Sequence, residues 1–199
     1  MRLWLLLILA GSAFLLVREV QTRPIPRPPG VLAPHAPFQA PLTPGSRVRS
    51  EKPGYCFGPV AHFALEARVL SKCLYRYDAA APIAPVDLAL GWGPMSDSAV
   101  LARLQLWQAD RFYFYAWQGE PPIPREQIVL NSANMRLVPA DNALRARLER
   151  LRPGNLVHIQ GFLVDVMGPR GFFWKTSTVR HDTGTGACEV VWVAGLEVR

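Results

Sequence analysis

The sequence predicts an α+β domain with a mostly antiparallel, curled sheet or a partly open small barrel, two short helices and a preceding N-terminal hydrophobic helix. Long stretches near the C-terminus alternate apolar and polar residues, as half-buried strands do. Gly161 interrupts one of them, and a glycine within a strand is typical of a bulge that lets a sheet bend. Leucines at helical spacing precede these strands, so a barrel of the oligonucleotide- or oligosaccharide-binding type is one form that the domain could take.

The first element is an apolar run from Leu3 to Val17 that follows the single basic residue Arg2. Residues 1–20 are therefore predicted to be a signal anchor or a signal peptide. A helix of this length covers about 22 Å, which is less than the roughly 30 Å hydrocarbon core of a bilayer. Gly11 and Ala13 offer a cleavage site, but cutting there leaves an apolar tail, so we expect an anchor. A buried core helix is the remaining alternative.

The flanks of this run give conflicting signals about orientation. Arg18, Arg23 and Arg27 follow the run and only Arg2 precedes it, which favours a cytoplasmic body. An N-terminal segment with a basic start, however, usually delivers the following chain across the membrane. We expect a single-pass protein of the bacterial inner membrane with a periplasmic domain.

Residues 21–54 form a proline-rich region. The stretch from Pro24 to Pro44 contains eight prolines in 21 residues. Such a density favours extended polyproline backbone, so we expect a linker that holds the body up to about 60 Å from the bilayer. Docking of this region onto a proline-binding partner is the alternative. The single globular domain then spans residues 55–199, a length that suits one hydrophobic core.

The positive charge of the chain is concentrated outside this domain. The net charge is +7, but residues 1–49 carry six arginines and one glutamate, whereas residues 50–199 carry sixteen basic and fourteen acidic residues, a balance of +2. We therefore do not expect nucleic acid as a partner, because binding to phosphates needs a larger surplus. The basic residues beside the leader fit lipid headgroups.

The three cysteines, Cys56, Cys73 and Cys188, show no metal-ligand spacing. We expect neither a metal nor another cofactor. Cys56 and Cys73 could form a disulfide in an oxidising compartment. Alternatively, the cysteines are free and behave as small apolar residues.

Periodicity and capping signals place the elements of the body. Leucines recur at three and four residues after Asp141, which predicts a helix that Asp141 caps and that Pro153 and Gly154 end. Another helix is predicted to begin with Ser96 as its N-cap. The predicted strands are residues 62–75, 111–117, 155–167, 172–179 and 188–198, the helices are residues 97–107 and 141–151, and a turn covers residues 168–171.

Trp92 lies between Gly91 and Gly93 and before Pro94, residues that give a loop a defined shape. Its ring is expected to cover one end of the sheet as a core residue. Alternatively, it lines a ligand groove together with the aromatic strand, since such rings stack on sugars and peptide planes. The candidate ligand-binding residues are Trp92, Tyr113, Tyr115, Trp117 and Arg180.

Two polar clusters, residues 130–142 and 176–189, hold most of the candidate catalytic residues. A histidine held by a carboxylate can act as a base, but His181 and Asp182 are adjacent and would pair only in a turn. If the protein is an enzyme, we expect four residues to converge on one cleft, namely Asp97, Asn134, His181 and Asp182. Otherwise both clusters are turns and caps whose side chains bond their own backbone.

Three segments, DLALGWGPMSD, SANMRLVPA and DTGTGACEVVWV, resemble those of a set of uncharacterised bacterial proteins that carry an N-terminal hydrophobic segment. The resemblance covers Asp87 to Val193. It implies a bacterial domain linked to the cell envelope, and it implies no particular activity or ligand.

The sequence therefore predicts a membrane-tethered accessory or binding module of the bacterial envelope that is not an enzyme and that has an envelope protein as its partner. The anchor, the proline-rich region, the balanced charge of the body and the lack of a complete catalytic constellation support this interpretation. The alternative is a hydrolase of an envelope polymer or of nucleic acid that acts through the four candidate catalytic residues. A third interpretation, stacking of aromatic residues on single-stranded nucleic acid, lacks the positive charge that such proteins need.

Overall fold

The computed structural model describes residues 23–48, 52–179 and 188–199, which contain nine β-strands and three short α-helices. The predicted hydrophobic leader lies outside these residues. Among the helices that are described, none has the length and apolar character needed to cross a bilayer. The strands are β1 (Phe38–Ala40), β2 (Cys56–Leu74), β3 (Val86–Gly91), β4 (Gln105–Ala109), β5 (Phe112–Ala116), β6 (Ser132–Pro139), β7 (Leu156–Met167), β8 (Phe173–Trp174) and β9 (Glu189–Val198). The helices are α1 (Ser98–Leu101), α2 (Arg125–Leu130) and α3 (Asn142–Glu149), and short 3-10 turns cover Gly93–Ser96 and Pro169–Gly171.

Seven strands form one sheet in the order β1-β2-β3-β6-β9-β7-β8, and β4 pairs with β5 in a separate hairpin. Within the described ranges every pairing is antiparallel except that of β6 with β9. The first two thirds of β2 pair with β7, and its last residues pair with β3. The pairings from β2 through β3, β6, β9 and β7 therefore return to β2. The predicted α+β class with a mostly antiparallel, curled sheet is confirmed.

The bulge predicted at Gly161 is present as an irregularity in the pairing of β7 with β9. The register of β7 against β9 shifts between Gln160 and Gly161. A Cβ on Gly161 would lie 1.8 Å from the backbone oxygen of Trp192, far inside any allowed contact. The two backbones can approach this closely only because the residue has no side chain.

The inward-facing side chains of the curled sheet form the main core. Alternate apolar residues of five strands, β2, β3, β6, β7 and β9, meet there, and Leu144, Leu148 and Leu151 of the α3 segment join them. The helix begins where the sequence predicts, because Asp141 Oδ1 accepts a hydrogen bond of 2.7 Å from the backbone N–H of Leu144. Burial of these apolar surfaces is the main source of stability.

The chain between β3 and β6 forms a second layer on the outer face of the sheet. Side chains from α1, from the β4–β5 hairpin and from α2 pack around Leu70 of β2 and Ala89 of β3. β3 is thus covered on both faces, and each of its residues is buried. We call residues 93–131 the outer layer.

Two predicted elements are corrected by the structure. The helix expected over residues 97–107 is confined to Ser98–Leu101, and its cap is Asp97 rather than Ser96. Gln105–Ala109 is strand β4 instead, because it pairs with β5 along its whole length and this tertiary pairing outweighs helix propensity. The strand expected over residues 172–179 is reduced to Phe173–Trp174. The Asp165 carboxylate accepts a hydrogen bond of 2.8 Å from the backbone N–H of Thr176, so this N–H is not available for strand pairing.

The described part of the proline-rich region lies against the body. Ile25 donates its backbone N–H to Pro153 O at 2.7 Å, and Arg27 Nε donates to Gly154 O at 2.9 Å. Further along, β1 pairs with residues 62–64 of β2. These contacts differ from the extended spacer that the composition suggests, because the body supplies partners for the N–H and C=O groups that remain between the prolines. We call residues 23–40 the strap.

The close approach at Gly161 gives a prediction with a matched control. Gly161→Ala should lower the free energy of unfolding by about 2–3 kcal/mol, because the new Cβ forces β7 and β9 apart. Gly195→Ala, in β9, places its Cβ at an ordinary 3.7 Å from Gln160 Cβ and should leave stability unchanged or slightly raised. Denaturant unfolding of both variants checks this. Equal stabilities would contradict the proposed role of Gly161.

Candidate functional site

The loop around Trp92 is fixed from both sides. The Trp92 side chain is 2% exposed and belongs to the main core, so its predicted core role is confirmed. A Cβ on Gly91 would lie 2.4 Å from Met95 O. Gly93 has a φ of +49°, and a Cβ there would lie 2.5 Å from Asn131 Oδ1. The two glycines therefore allow the chain to turn tightly around the buried ring.

The residues after Trp92 bind the strap. Ser96 Oγ accepts hydrogen bonds from the backbone N–H groups of Leu32 (3.0 Å) and Ala33 (3.1 Å) and donates to Gly93 O at 2.7 Å. Gly93 in turn donates its N–H to Ala33 O at 2.7 Å. Both Ser96 and Ala33 are fully buried. We call the group Gly93, Ser96, Asp97 and Ser98 the latch.

Asp97 and Ser98 extend the latch towards the start of the strap. Asp97 Oδ1 accepts hydrogen bonds from the N–H groups of Gly30 and Ala99, each at 2.8 Å. These two backbone donors hold the pKa of Asp97 below its usual range. Ser98 Oγ donates to Arg27 O at 2.8 Å. The Asp97 carboxylate is thus engaged in capping α1 and holding the strap.

A buried ion pair joins the outer layer to the sheet. Arg111 lies at the tight turn between β4 and β5, where Asp110 and Arg111 both have positive φ, as in a type I′ hairpin. Its guanidinium donates to Asp87 Oδ1 at 2.8 Å and, with two nitrogens, to the carboxylate of Asp78 at 2.7 and 2.8 Å. The guanidinium also lies 3.9 Å from the centre of the Tyr75 ring. Asp87 has no exposed surface.

The two carboxylates of this ion pair respond to it in opposite ways. Burial raises the pKa of Asp87 to about 6, although Arg111 and Arg136 oppose the shift. The hydrogen bonds from Arg111 lower the pKa of Asp78, which is more exposed. Burial thus outweighs charge pairing at Asp87, whose carboxylate is fully buried, but not at the more exposed Asp78.

Asn134 on β6 belongs to the same polar cluster. Its Nδ2 donates to Arg111 O at 3.0 Å and to Asp87 Oδ2 at 3.3 Å, and its Oδ1 accepts from Gln108 Nε2 at 2.6 Å. Cys188 is buried beside these groups, and burial raises the pKa of its thiol. A protonated, enclosed thiol is a weak nucleophile. The cluster is therefore suited to holding strands and hairpin together rather than to chemistry on a substrate.

The β4–β5 hairpin divides its aromatic residues between two faces. Tyr113, Tyr115 and Trp117 pack against the apolar core of the outer layer. Trp107 and Phe114 face outwards, with 45% and 39% of their surfaces exposed, and are paired in register across the two strands. Their rings stack with centroids 5.5 Å apart and planes at 15°. We call this exposed pair the aromatic face.

The candidate ligand-binding residues predicted on this hairpin are Tyr113, Tyr115 and Trp117, the inner members of the alternation. Phe114 was included only as part of the aromatic strand, and Trp107 was predicted to lie in a helix. A strand places alternate residues on opposite faces, but nothing local says which face is covered. The sequence pattern did not show that residues 105–107, predicted as the end of a helix, belong to β4. This strand places Trp107 opposite Phe114.

The candidate residues that are described do not meet in one place. Asp97 is in the latch and Asn134 is in the polar cluster, and within the described residues no hydrogen bond joins them. Trp92 lies in the main core, whereas Tyr113, Tyr115 and Trp117 lie in the outer layer. The remaining candidates, Arg180, His181 and Asp182, lie outside the described residues.

Metal-ligating and sulfur groups are dispersed in the same way. No three His, Cys, Asp or Glu side chains in the described ranges are grouped as a metal site. Cys56 and Cys73 are free thiols, the first exposed and the second half-buried.

Removal of the buried charge should change how stability depends on pH. Asp87 binds its proton more tightly in the folded protein, where its pKa is about 6, than in the unfolded chain, where an aspartate has a pKa of about 3.9. Its ionisation therefore costs the native state about 3 kcal/mol as pH rises from about 4 to 6. The difference in unfolding free energy between wild type and Asp87→Asn should fall across that window and be constant above it. Glu126→Gln, at an exposed carboxylate, should not alter the wild-type profile. If the unfolding free energy of Asp87→Asn varied with pH in parallel with that of the wild type, the ionisation of Asp87 would not carry this cost.

The latch can be tested with a single hydroxyl. Ser96→Ala leaves the N–H groups of Leu32 and Ala33 without their acceptor, so hydrogen exchange at residues 30–33 should accelerate by at least about tenfold. Thr178→Val replaces an exposed hydroxyl with a methyl group and serves as the control. Exchange-detected mass spectrometry measures both. Unchanged protection in Ser96→Ala would show that the strap is held by other contacts.

Comparison with known proteins adds no family or ligand to this geometry. No family model matches the chain, and neither a curated protein nor a solved structure matches it. The resemblance to bacterial envelope-linked proteins stays a prediction, and conclusions about function depend on the contacts described above.

Proposed function

We propose that this protein is a membrane-tethered binding module of the bacterial envelope, without catalytic activity, whose body is held on the periplasmic side of the inner membrane and contacts an envelope protein. The apolar run from Leu3 to Val17 supports the tether. The engagement of Asp97 and Asn134 in structural hydrogen bonds supports a role other than hydrolysis.

The body is proposed to be a variant of the partly open barrels that bind oligonucleotides and oligosaccharides. Three features support this: the cyclic order of strand pairings, the parallel pair β6–β9, and a helix, α3, between β6 and β7. In such barrels ligands bind over the second and third strands, which correspond here to β3 and β6. The outer layer covers β3, so a partner would instead meet the outer layer itself.

The aromatic face is the observation that carries this proposal. Two large rings stacked on each other yet exposed to 45% and 39% are an unusual use of aromatic surface, because burying such rings is strongly favourable. Aromatic residues, tryptophan above all, supply a large share of binding energy at protein interfaces. The rigid hairpin also presents them at a low cost in conformational entropy.

The chemistry around these rings favours a protein over a charged polymer. The strands β4 and β5 carry no ionisable group other than the tyrosines. Arg111 in their connecting turn is buried with its carboxylate partners, and Asp110 beside it is acidic. Binding of phosphates would need exposed positive charge on this surface.

Loss of the aromatic face should abolish recovery of the partner. Full-length Trp107→Ala/Phe114→Ala, purified from crosslinked envelopes in mild detergent, should lose at least about 90% of the stoichiometric protein partner that the wild type retains, as expected when hot-spot residues worth about 2 kcal/mol or more are removed. Phe173→Ala removes another exposed ring, 57% exposed, and should retain it. Wild-type protein recovered alone, or equal recovery by the double variant, would overturn the proposal.

A further inference from the structure

We propose that one end of the body, where the strap begins, binds the anionic phospholipid headgroups of the membrane that holds the leader. We call this surface the basic end; it is formed by Arg23, Arg27, Arg147, Arg150 and Arg199. The inference rests on the proposed tether, and it adds a second, electrostatic contact that fixes which side of the body faces the bilayer.

Hydrogen bonds to the body fix the start of the strap. Ile25 is hydrogen-bonded to Pro153, and Arg27 is bonded to Gly154 O and, through Nη2, to Arg199 O at 2.6 Å. Gly154 has a φ of +92°, and a Cβ there would lie 2.1 Å from Ile25 O. The strap therefore starts in tight contact with the turn that follows α3, at a defined point on the body.

Only a short length of chain separates this point from the leader. The apolar run ends at Val17, and Ile25 is hydrogen-bonded to Pro153 of the body. Eight residues reach at most about 28 Å when fully extended. A tether this short keeps the turn after α3 close to the headgroup region, whereas the proline-rich composition alone would allow a far longer reach.

This part of the surface carries positive charge. Arg147 and Arg150 are exposed at the end of α3, and Arg23 and Arg199 are exposed beside them. Arg147 donates to the backbone oxygen of Leu196, and Arg27 likewise donates to backbone oxygens. Carbonyl partners orient a guanidinium without neutralising its charge.

Acidic neighbours offset this charge only in part. Arg145 pairs with Glu149 at 2.9 Å, both about 40% exposed, and Arg199 pairs with Glu66 at 3.3 Å. Exposed pairs of this kind are weak and exchange readily with other ligands. The exposed guanidinium groups of Arg147 and Arg150 face solvent, and a tether that reaches at most about 28 Å lets them approach the bilayer to within a Debye length, where anionic headgroups attract them.

Arginine suits this partner by its shape as well as its charge. A guanidinium offers a planar set of donors that binds two phosphate oxygens at once. The leader raises the effective concentration of headgroups at the basic end, so contacts too weak to bind a free body still orient a tethered one.

The test uses the full-length chain in nanodiscs of phosphatidylcholine alone or with about 30% phosphatidylglycerol. On the anionic discs, hydrogen exchange at residues 145–156 should slow by at least about threefold relative to the neutral discs, and about 0.5 M salt should remove the difference. Arg147→Glu/Arg150→Glu should abolish it, and Arg147→Gln/Arg150→Gln should reduce it. Thermal unfolding of each variant establishes that the fold is retained.

The matched control reverses charge at the opposite end of β7. This strand runs for 12 residues from Leu156 to Met167, about 40 Å, and exposed Arg170 and Lys175 follow it. Arg170→Glu/Lys175→Glu should keep the full lipid effect. If hydrogen exchange at residues 145–156 were equal on both kinds of disc while the chain stayed bound to them, the proposed binding of lipid by the basic end would be wrong. The proposed tether would not be affected by that result. If the chain separated from the discs, the proposed tether itself would be wrong. If a single-stranded oligonucleotide slowed hydrogen exchange equally on neutral discs, the basic end would be assigned to nucleic acid instead.

Discussion

The double pairing of β2 is the constraint on which the rest of the structure depends. One strand of 19 residues is shared between β7 and β3, and the sheet can serve both only by curling. The curl creates a single enclosed core, and Gly161 provides the close backbone contact that the curvature demands. Apolar side chains of the strands and of α3 fill the inside of the curled sheet. The polar clusters of the protein therefore lie on the outer face of the sheet or at one of its ends.

The outer layer is attached to the sheet by both apolar and polar contacts. It joins the sheet partly through apolar packing around Leu70 and Ala89 and partly through Arg111, which reaches two carboxylates from a tight turn. A buried ion pair adds little net stability, but breaking it is costly because a charge is left without a partner. The pair therefore specifies where the hairpin docks. That placement directs Trp107 and Phe114 to the outside.

Much of the fold was predictable from the sequence because local patterns and tertiary structure agree there. The leucines after Asp141 and the alternation around Gly161 each serve the element that their spacing indicates. Residues 102–107 were wrongly predicted as helix because helical spacing continues past Leu101, while the pairing partner that makes β4 a strand lies in β5. The polar cluster combines Asp78, Asp87, Arg111, Asn134 and Cys188, and no spacing along the chain brings such distant residues together. Composition did not predict the strap, because a high density of prolines indicates extended backbone but does not show that the body binds this segment.

The attachment of the strap has a mechanical consequence. A pull on the chain from its N-terminal side does not act first on the curled sheet, because it is borne by the bonds of Ile25 and Arg27 to the turn after α3 and then by the latch. These contacts lie in series along the strap, so they would open one after another, each opening lengthening the chain before load reaches β1 and β2. The strap thus forms an extension that would lengthen under load before the folded core is deformed.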